Sequence, residues 1–147
     1  MLTKKAKYGL QAILSLARDY GKGPVTISDL AKREVIPKKF LESILLELKN
    51  RNILYSIKGK NGGYILAKPP NEISMGEVVR YLDGPLAPVP CVSKTAYRKC
   101  TECEDERTCG IRLVMKRVRD SIADILDGTS LEDVLNMITE TRNEIYN

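Results

Sequence analysis

At 147 residues, 43% of them hydrophobic, the chain is long enough to bury one proper core, and its seven prolines and ten glycines do not make it a disordered tail. No apolar run approaches the ~20 residues of a membrane-spanning helix, and Met1-Leu2-Thr3-Lys4-Lys5 lacks the apolar stretch of a secretion signal, so a cytoplasmic protein with no membrane partner is expected. The net charge of +5 is unevenly spread: residues 1–68 hold 14 Lys/Arg against 5 Asp/Glu (+9), and residues 69–147 hold 10 against 14 (−4). The front half therefore carries either the electrostatic footprint of a polyanion partner or a merely solvated basic surface.

Thr3 is a candidate N-cap for a helix reaching about Tyr20, with Ala6, Leu10, Ile13, Leu14 and Ala17 as its apolar stripe and Gly21 as its stop. After the turn Gly21-Lys22-Gly23-Pro24 and the brief apolar stretch from Val25 to Ile27, Thr26 and Asp29 resemble a capping box that opens a short helix to Glu34. Val35-Ile36-Pro37 then turns sharply into the next helix, where proline is tolerated because a first-turn N–H has no intrahelical partner. In that helix Phe40, Leu41, Ile44, Leu45 and Leu48 recur at three- and four-residue steps, with Lys38, Lys39, Glu42, Ser43, Lys49 and Arg51 between them. One face is for a core; the other is free.

Past Asn50 and Asn52, the segments Ile53–Ile57 and Tyr64–Ala67 read as the strands of a hairpin around Lys58-Gly59-Lys60-Asn61-Gly62-Gly63. Helix, turn, helix and basic hairpin make the outline of a winged helix-turn-helix. Its second helix suits a major groove, and the hairpin an adjacent backbone or minor groove. Glycines at the hairpin tip permit turn dihedrals and close approach to a phosphate, while Lys58 and Lys60 add charge. Pro69-Pro70 marks a break, and Ser74-x-x-Glu77 opens a short helix with Val78, Val79 and Leu82 on its apolar side, ended by Gly84-Pro85.

From Pro85 to about Arg107 the chain reads as a loop with too few apolar residues to be buried. It begins a run that carries all four cysteines, Cys91-x8-Cys100-x2-Cys103-x5-Cys109, within 19 residues. In a reducing cytoplasm permanent disulfides are disfavoured, so metal binding or redox sensing gains weight. Four soft thiolates suit tetrahedral zinc or an iron–sulfur cluster, and spacing alone does not choose between them. With no histidine in the chain a Cys–His pair is impossible, and no glycine-rich phosphate loop joins a strand to a helix, so catalysis is not expected.

A long helix begins at about Thr108, with Ile111, Val114, Met115, Val118, Ile122, Ile125 and Leu126 forming an apolar seam suited to packing against another helix, within the chain or beyond it. Gly128 stops it. Thr129 or Ser130 then caps a final short helix through Ile138, with Asp133 three residues after Ser130.

Four runs carry a resemblance: Lys7-Tyr8-Gly9-Leu10, Ile27-Ser28-Asp29-Leu30-Ala31, Phe40-Leu41-Glu42, and Lys58-Gly59-Lys60-Asn61-Gly62-Gly63-Tyr64. Together they resemble the bacterial winged-helix regulators of the Rrf-two family, typified by IscR, NsrR and CymR, over nearly the whole chain. The resemblance implies a mainly α fold with a small β-hairpin wing. Residues 1–84 would form the winged helix-turn-helix, 85–107 a cysteine-bearing sensor loop, and 108–147 a dimerisation helix and C-terminal helix. The implied function is a DNA-binding transcriptional regulator, a repressor, acting as a homodimer on double-stranded DNA at a palindromic operator.

Carried onto this chain, the DNA-binding positions are Lys38, Lys39, Phe40, Glu42 and Ser43 on the recognition helix and Lys58, Gly59, Lys60, Asn61 and Gly62 at the wing. Glu42 can accept from cytosine N4 or simply suit a helix N-terminus, and Phe40 can face a base or the core. Lys4, Lys5 and Lys7 can hold a phosphate backbone or face solvent. The chain departs from the family at Lys58-Gly59, where Arg-Gly is usual, and at Pro37, where serine opens the recognition helix.

The family's sensors carry three cysteines in this loop, and Cys91, Cys103 and Cys109 resemble that trio. The IscR-like fourth ligand, a histidine three residues on, is here Arg112, so either Cys100, the extra thiol, completes an all-cysteine site, or three cysteines bind and a carboxylate or a group from the partner subunit completes the set. The cofactor implied is a 2Fe-2S or 4Fe-4S cluster held by Cys91, Cys100, Cys103 and Cys109. The alternatives are structural zinc, a thiol redox switch, or a CymR-like regulator answering to a partner protein or metabolite.

Overall fold

The computed structural model describes residues 2–147. Its elements run α1 (Lys4–Arg18), α2 (Ile27–Glu34), α3 (Lys38–Asn50), β1 (Leu54–Ile57), β2 (Gly63–Leu66), α4 (Met75–Asp83), α5 (Gly110–Asp127) and α6 (Leu131–Tyr146), with short 3-10 turns at Pro70–Glu72 and Pro90–Val92. The fold is thus mostly helical with one antiparallel hairpin, registered Leu54 to Leu66 and Ile57 to Gly63. Among the described residues no helix is long and apolar enough to cross a membrane.

Local signals account for most helix starts. The Thr3 hydroxyl accepts from the Ala6 N–H at 3.1 Å, and the Thr3 backbone N–H donates to Asp83 at the end of α4, 3.0 Å away. Thr26 and Ser74 cap α2 and α4 by accepting from Asp29 and Glu77 N–H groups, each at 3.1 Å. The Ser74 box is half formed, because the Glu77 carboxylate accepts from Lys68 and Tyr81 instead. At α6 both halves form: Ser130 accepts from the Asp133 N–H at 3.1 Å, and Asp133 accepts from the Ser130 N–H at 2.8 Å.

The core gathers one face of each front helix. Ile13 of α1, Leu30 of α2, all four α3 residues Leu41, Ile44, Leu45 and Leu48, and Val78 of α4 are completely buried, with Ile53, Leu54 and Ile73 closing the edges. Gly9 lets three helices meet, since a Cβ there would stand 2.2 Å from Leu82 Cδ1 and 3.3 Å from Ile44 Cγ2. α6 is tied back to this unit: Leu131 is fully buried and its N–H donates to Ile73 O at 2.9 Å, beside a bridge between Ser74 and Ser130.

Three expectations change. α6 runs to Tyr146 rather than ending at Ile138, because residues 139–146 hold no glycine or proline to stop it even though the apolar spacing fades. Ile53 and Ala67 lie outside the strands, although the Ala67 N–H still donates to Ile53 O at 2.9 Å. The segment after Pro85 is anchored rather than wholly exposed: Val92 and Ser93 are buried where the Pro90–Val92 turn packs on α5.

Candidate nucleic-acid interface and thiol cavity

Because α3 spends Leu41, Ile44, Leu45 and Leu48 on the core, its opposite side is left to solvent. Lys38, Lys39, Glu42, Ser43, Leu46, Lys49 and Asn50 are all exposed there. Phe40 belongs to the other side: its half-buried ring meets Tyr8 edge-on, centroids 5.5 Å apart at 78°, and seats α3 on α1. The Ser43 hydroxyl donates back to Phe40 O at 2.8 Å, which leaves its lone pairs as acceptors. Of the α1 lysines, Lys5 pairs with Glu47 at 2.5 Å, whereas Lys4 and Lys7 stay exposed.

The wing follows α3 directly, with β1 packed against that helix. Lys58, Gly59, Lys60 and Asn61 are exposed at its tip, where the Gly62 N–H donates to Gly59 O at 3.0 Å to close the turn. Gly59 has φ 111°, a conformation that favours glycine, and open space around it. The neighbouring glycines also answer needs of the fold. A Cβ on Gly62 would lie 2.1 Å from Ile57 O, and one on Gly63 would lie 2.3 Å from Val25 O. That second approach exists because Val25 and Tyr64 exchange backbone bonds of 3.0 and 2.8 Å, giving the hairpin a third, one-residue partner. The brief apolar stretch at Val25 was its sequence signal.

The cysteines come together at the start of α5. Cys91, Cys100, Cys103 and Cys109 all line one cavity of about 520 Å³, with Arg98, Lys99, Glu106 and Arg112 among its walls. Cys109 sits at the N-cap of α5, where the Arg112 N–H, the Cys103 thiol and the Ile111 N–H hold its thiol below the ordinary value. Cys103 is pushed up, first by burial and then by donating to Cys109. As they lie, no three Cys, Asp or Glu side chains among the described residues stand close enough to hold one metal ion. In kind and number, four thiols facing one space fit a soft metal centre; their spread requires the loop to draw in around it.

Two arginines of α5 fasten this loop from below. Arg112 Nε donates to Cys91 O at 3.3 Å, and Arg119 Nη1 donates to Val92 O at 2.5 Å. Spaced seven apart, they share one helix face, a pattern legible only once the loop's position is known. Farther along, both oxygens of Asp127 accept from Arg80 of α4 at 2.5 and 2.7 Å, and this bond holds the Asp127 carboxyl below its usual range. Gly76 leaves the room, since a Cβ there would stand 2.0 Å from Asp127 Oδ1. The thiol cavity and the winged-helix unit are thus joined through α5.

Residues 2–137 match the family described as Rrf2, iron-dependent transcriptional regulator. An rrf2-like regulator of Rhodobacter capsulatus is 44% identical over 138 residues, 92% of each chain. The solved structure of CymR, the global cysteine regulator of B. subtilis, superposes with a TM-score of 0.78 at 31% identity, covering 93% of this chain and 97% of that one. T. potens IscR superposes at 0.75 with 28% identity, covering 96% and 90%. The chain belongs to the Rrf2 family of winged-helix, DNA-binding transcriptional regulators and is not an enzyme.

Proposed function

We propose that this regulator is a homodimeric repressor whose grip on a palindromic operator is tuned by an iron–sulfur cluster bound by Cys91, Cys100, Cys103 and Cys109. The observation that carries the reading is the meeting of four thiols in one cavity at the head of α5, in a chain whose family is described as iron-dependent. When bound, such a cluster supplies a charge that changes with oxidation state or cluster loss. Arg112 and Arg119 hold the Cys91 and Val92 carbonyls, so any contraction of the loop pulls on α5. Through Arg80 and Asp127 that pull reaches α4, which packs against both α1 and α3.

The homodimer rests on exposed apolar surface. No residue of α5 is buried, and Ile111 and Ile125 are 69% and 67% exposed on a helix otherwise rich in charge. Pairing α5 between two copies covers that seam and sets two α3 helices toward one duplex. In each, Lys38, Lys39, Glu42 and Ser43 face the major groove, and Lys58, Gly59, Lys60, Asn61 and Gly62 of the wing meet the adjacent backbone; Phe40 supports α3 from behind.

A second reading keeps the DNA-binding unit and replaces the cluster with a thiol switch, favoured by the Cys103–Cys109 hydrogen bond and the lowered Cys109 thiol. Structural zinc, or a partner protein or metabolite as effector, are the remaining forms of it. Anaerobic purification of the full chain decides. The cluster reading expects a brown protein with visible absorbance, equimolar iron and acid-labile sulfide, and a dimer in solution. Cys109→Ala then abolishes the visible absorbance, and Ile111→Asp with Ile125→Asp yields monomers. A colourless protein with stoichiometric zinc, or with neither metal, excludes the cluster.

A further inference from the structure

The outer side of α3 is polar except at one place. Leu46 follows Ser43 by three residues and Glu42 by four, so helical geometry sets it beside both, and it is 50% exposed. A second exposed aliphatic side chain lies in the turn that leads into α3: Val35, the C-cap of α2, is 84% exposed. Val35 also has φ 55° and ψ 49°, the left-handed region that glycine enters freely and a β-branched residue enters only against its own Cβ. Neither side chain contributes to the core, and the fold would be served at least as well by glycine at 35 and a polar residue at 46.

Lys38, Lys39 and Lys49 are exposed on the same helix, and Lys32 is exposed in the last turn of the helix before it. That positive setting repels a second copy of itself and suits a polyanion. On the major-groove edge of duplex DNA, the distinctive apolar feature is the thymine C5-methyl. We infer that Val35 and Leu46 are specificity-determining residues that pack on thymine methyl groups, bracketing the bases read by Glu42 and Ser43. The inference rests on α3 being the groove helix and adds to it a sequence class. Glu42 and Ser43 present acceptors, so they select the exocyclic amines of cytosine or adenine, and each half-site carries a thymine on either side. The eight helical steps from Lys38 to Leu46 rise about 12 Å, and Val35 lies beyond the first of them, so the two thymines stand at least roughly three to four base-pair steps apart.

The test uses the full-length protein and duplexes it selects from random DNA. In the selected duplex each thymine is replaced in turn by deoxyuridine, which deletes only the methyl. At two positions per half-site affinity falls about fourfold per methyl, the size of one buried methyl group. Leu46→Ala binds the parent duplex correspondingly less tightly and is indifferent to deoxyuridine at one of those positions; Val35→Gly is indifferent at the other. Val35→Gly also melts no lower than the parent protein, which a role in the fold would not allow. Uridine duplexes that bind as tightly as the parent at every position, or variants that lose equally on both, overturn the inference. So does a change of oligomeric state in Leu46→Ala, which would make a second copy the occupant. A selected duplex whose binding is also unaffected by Lys39→Ala and Glu42→Ala removes α3 from the groove altogether, and that outcome is distinct from failure of the methyl contacts alone.

Discussion

Replacing Lys38, Lys39, Lys58 and Lys60 together by alanine is expected to abolish specific retardation of an operator fragment at physiological salt while leaving the fold intact. All four side chains are exposed and appear in none of the protein's ion pairs or side-chain hydrogen bonds among the described residues, so the protein loses nothing internal. The proposed dimer loses eight positive charges. A site with that many phosphate contacts weakens by about 10³ or more between 50 and 200 mM salt, with log K falling by roughly 0.9 per contact for each unit of log salt. The variant's slope therefore flattens, and its remaining affinity approaches the non-specific level. Titrations at several salt concentrations, with circular dichroism to verify the fold, measure both quantities. An unchanged slope would remove the α3 and wing lysines from the interface.

Leu45→Ala carries the largest expected effect on stability. Leu45 is completely buried, midway along α3 among Leu41, Ile44 and Leu48, and truncating such a leucine costs about 2–5 kcal/mol through lost burial and the cavity left behind. In a chain of this size that lowers the melting temperature by roughly 10 °C, read by thermal denaturation. Because α3 is held by that face, DNA binding fails on warming before it fails in the cold. Leu46→Ala, one residue on and half exposed, leaves the melting temperature nearly unchanged. The contrast between adjacent leucines separates the side of α3 that builds the protein from the side proposed to meet DNA.

The winged-helix unit was legible in the sequence because each of its parts carries a local signal. Thr3, Thr26, Ser74 and Ser130 announce their helices by capping chemistry, and the three-to-four spacing from Leu41 to Leu48 names the buried side of α3 residue by residue. What escaped depends on contacts distant in sequence. The pairing of Val25 with Tyr64 explains why Gly63 is glycine, yet the brief apolar stretch at Val25 signals only an extended segment and does not name its partner. The far end of α6 was missed because apolar periodicity fades after Ile138 although no residue there breaks a helix.

The candidate site divides in the same way. Exposed lysines at the recognition helix and wing follow from the pattern alone, and so does the clustering of the four cysteines. The roles of Arg112 and Arg119 beneath the loop, and of Gly76 in admitting Asp127 beside Arg80, arise only when α5 lies across the winged-helix unit. Phe40 stood between two readings because a position at the edge of an apolar stripe is ambiguous; the edge-on Tyr8 ring places it on the core side.

The central claim is that α3 and the wing grip duplex grooves under the control of the thiol-bearing segment, and one comparison tests it most directly. The full-length protein is purified anaerobically, half of it is stripped of metal with chelator under reducing conditions, and both halves are titrated against the same selected duplex over a range of salt. The account predicts dimeric, salt-dependent binding by both forms, with affinities that differ at least tenfold and with that difference erased in Cys109→Ala. Equal affinities for the two forms, in a preparation carrying stoichiometric iron and sulfide, would contradict it.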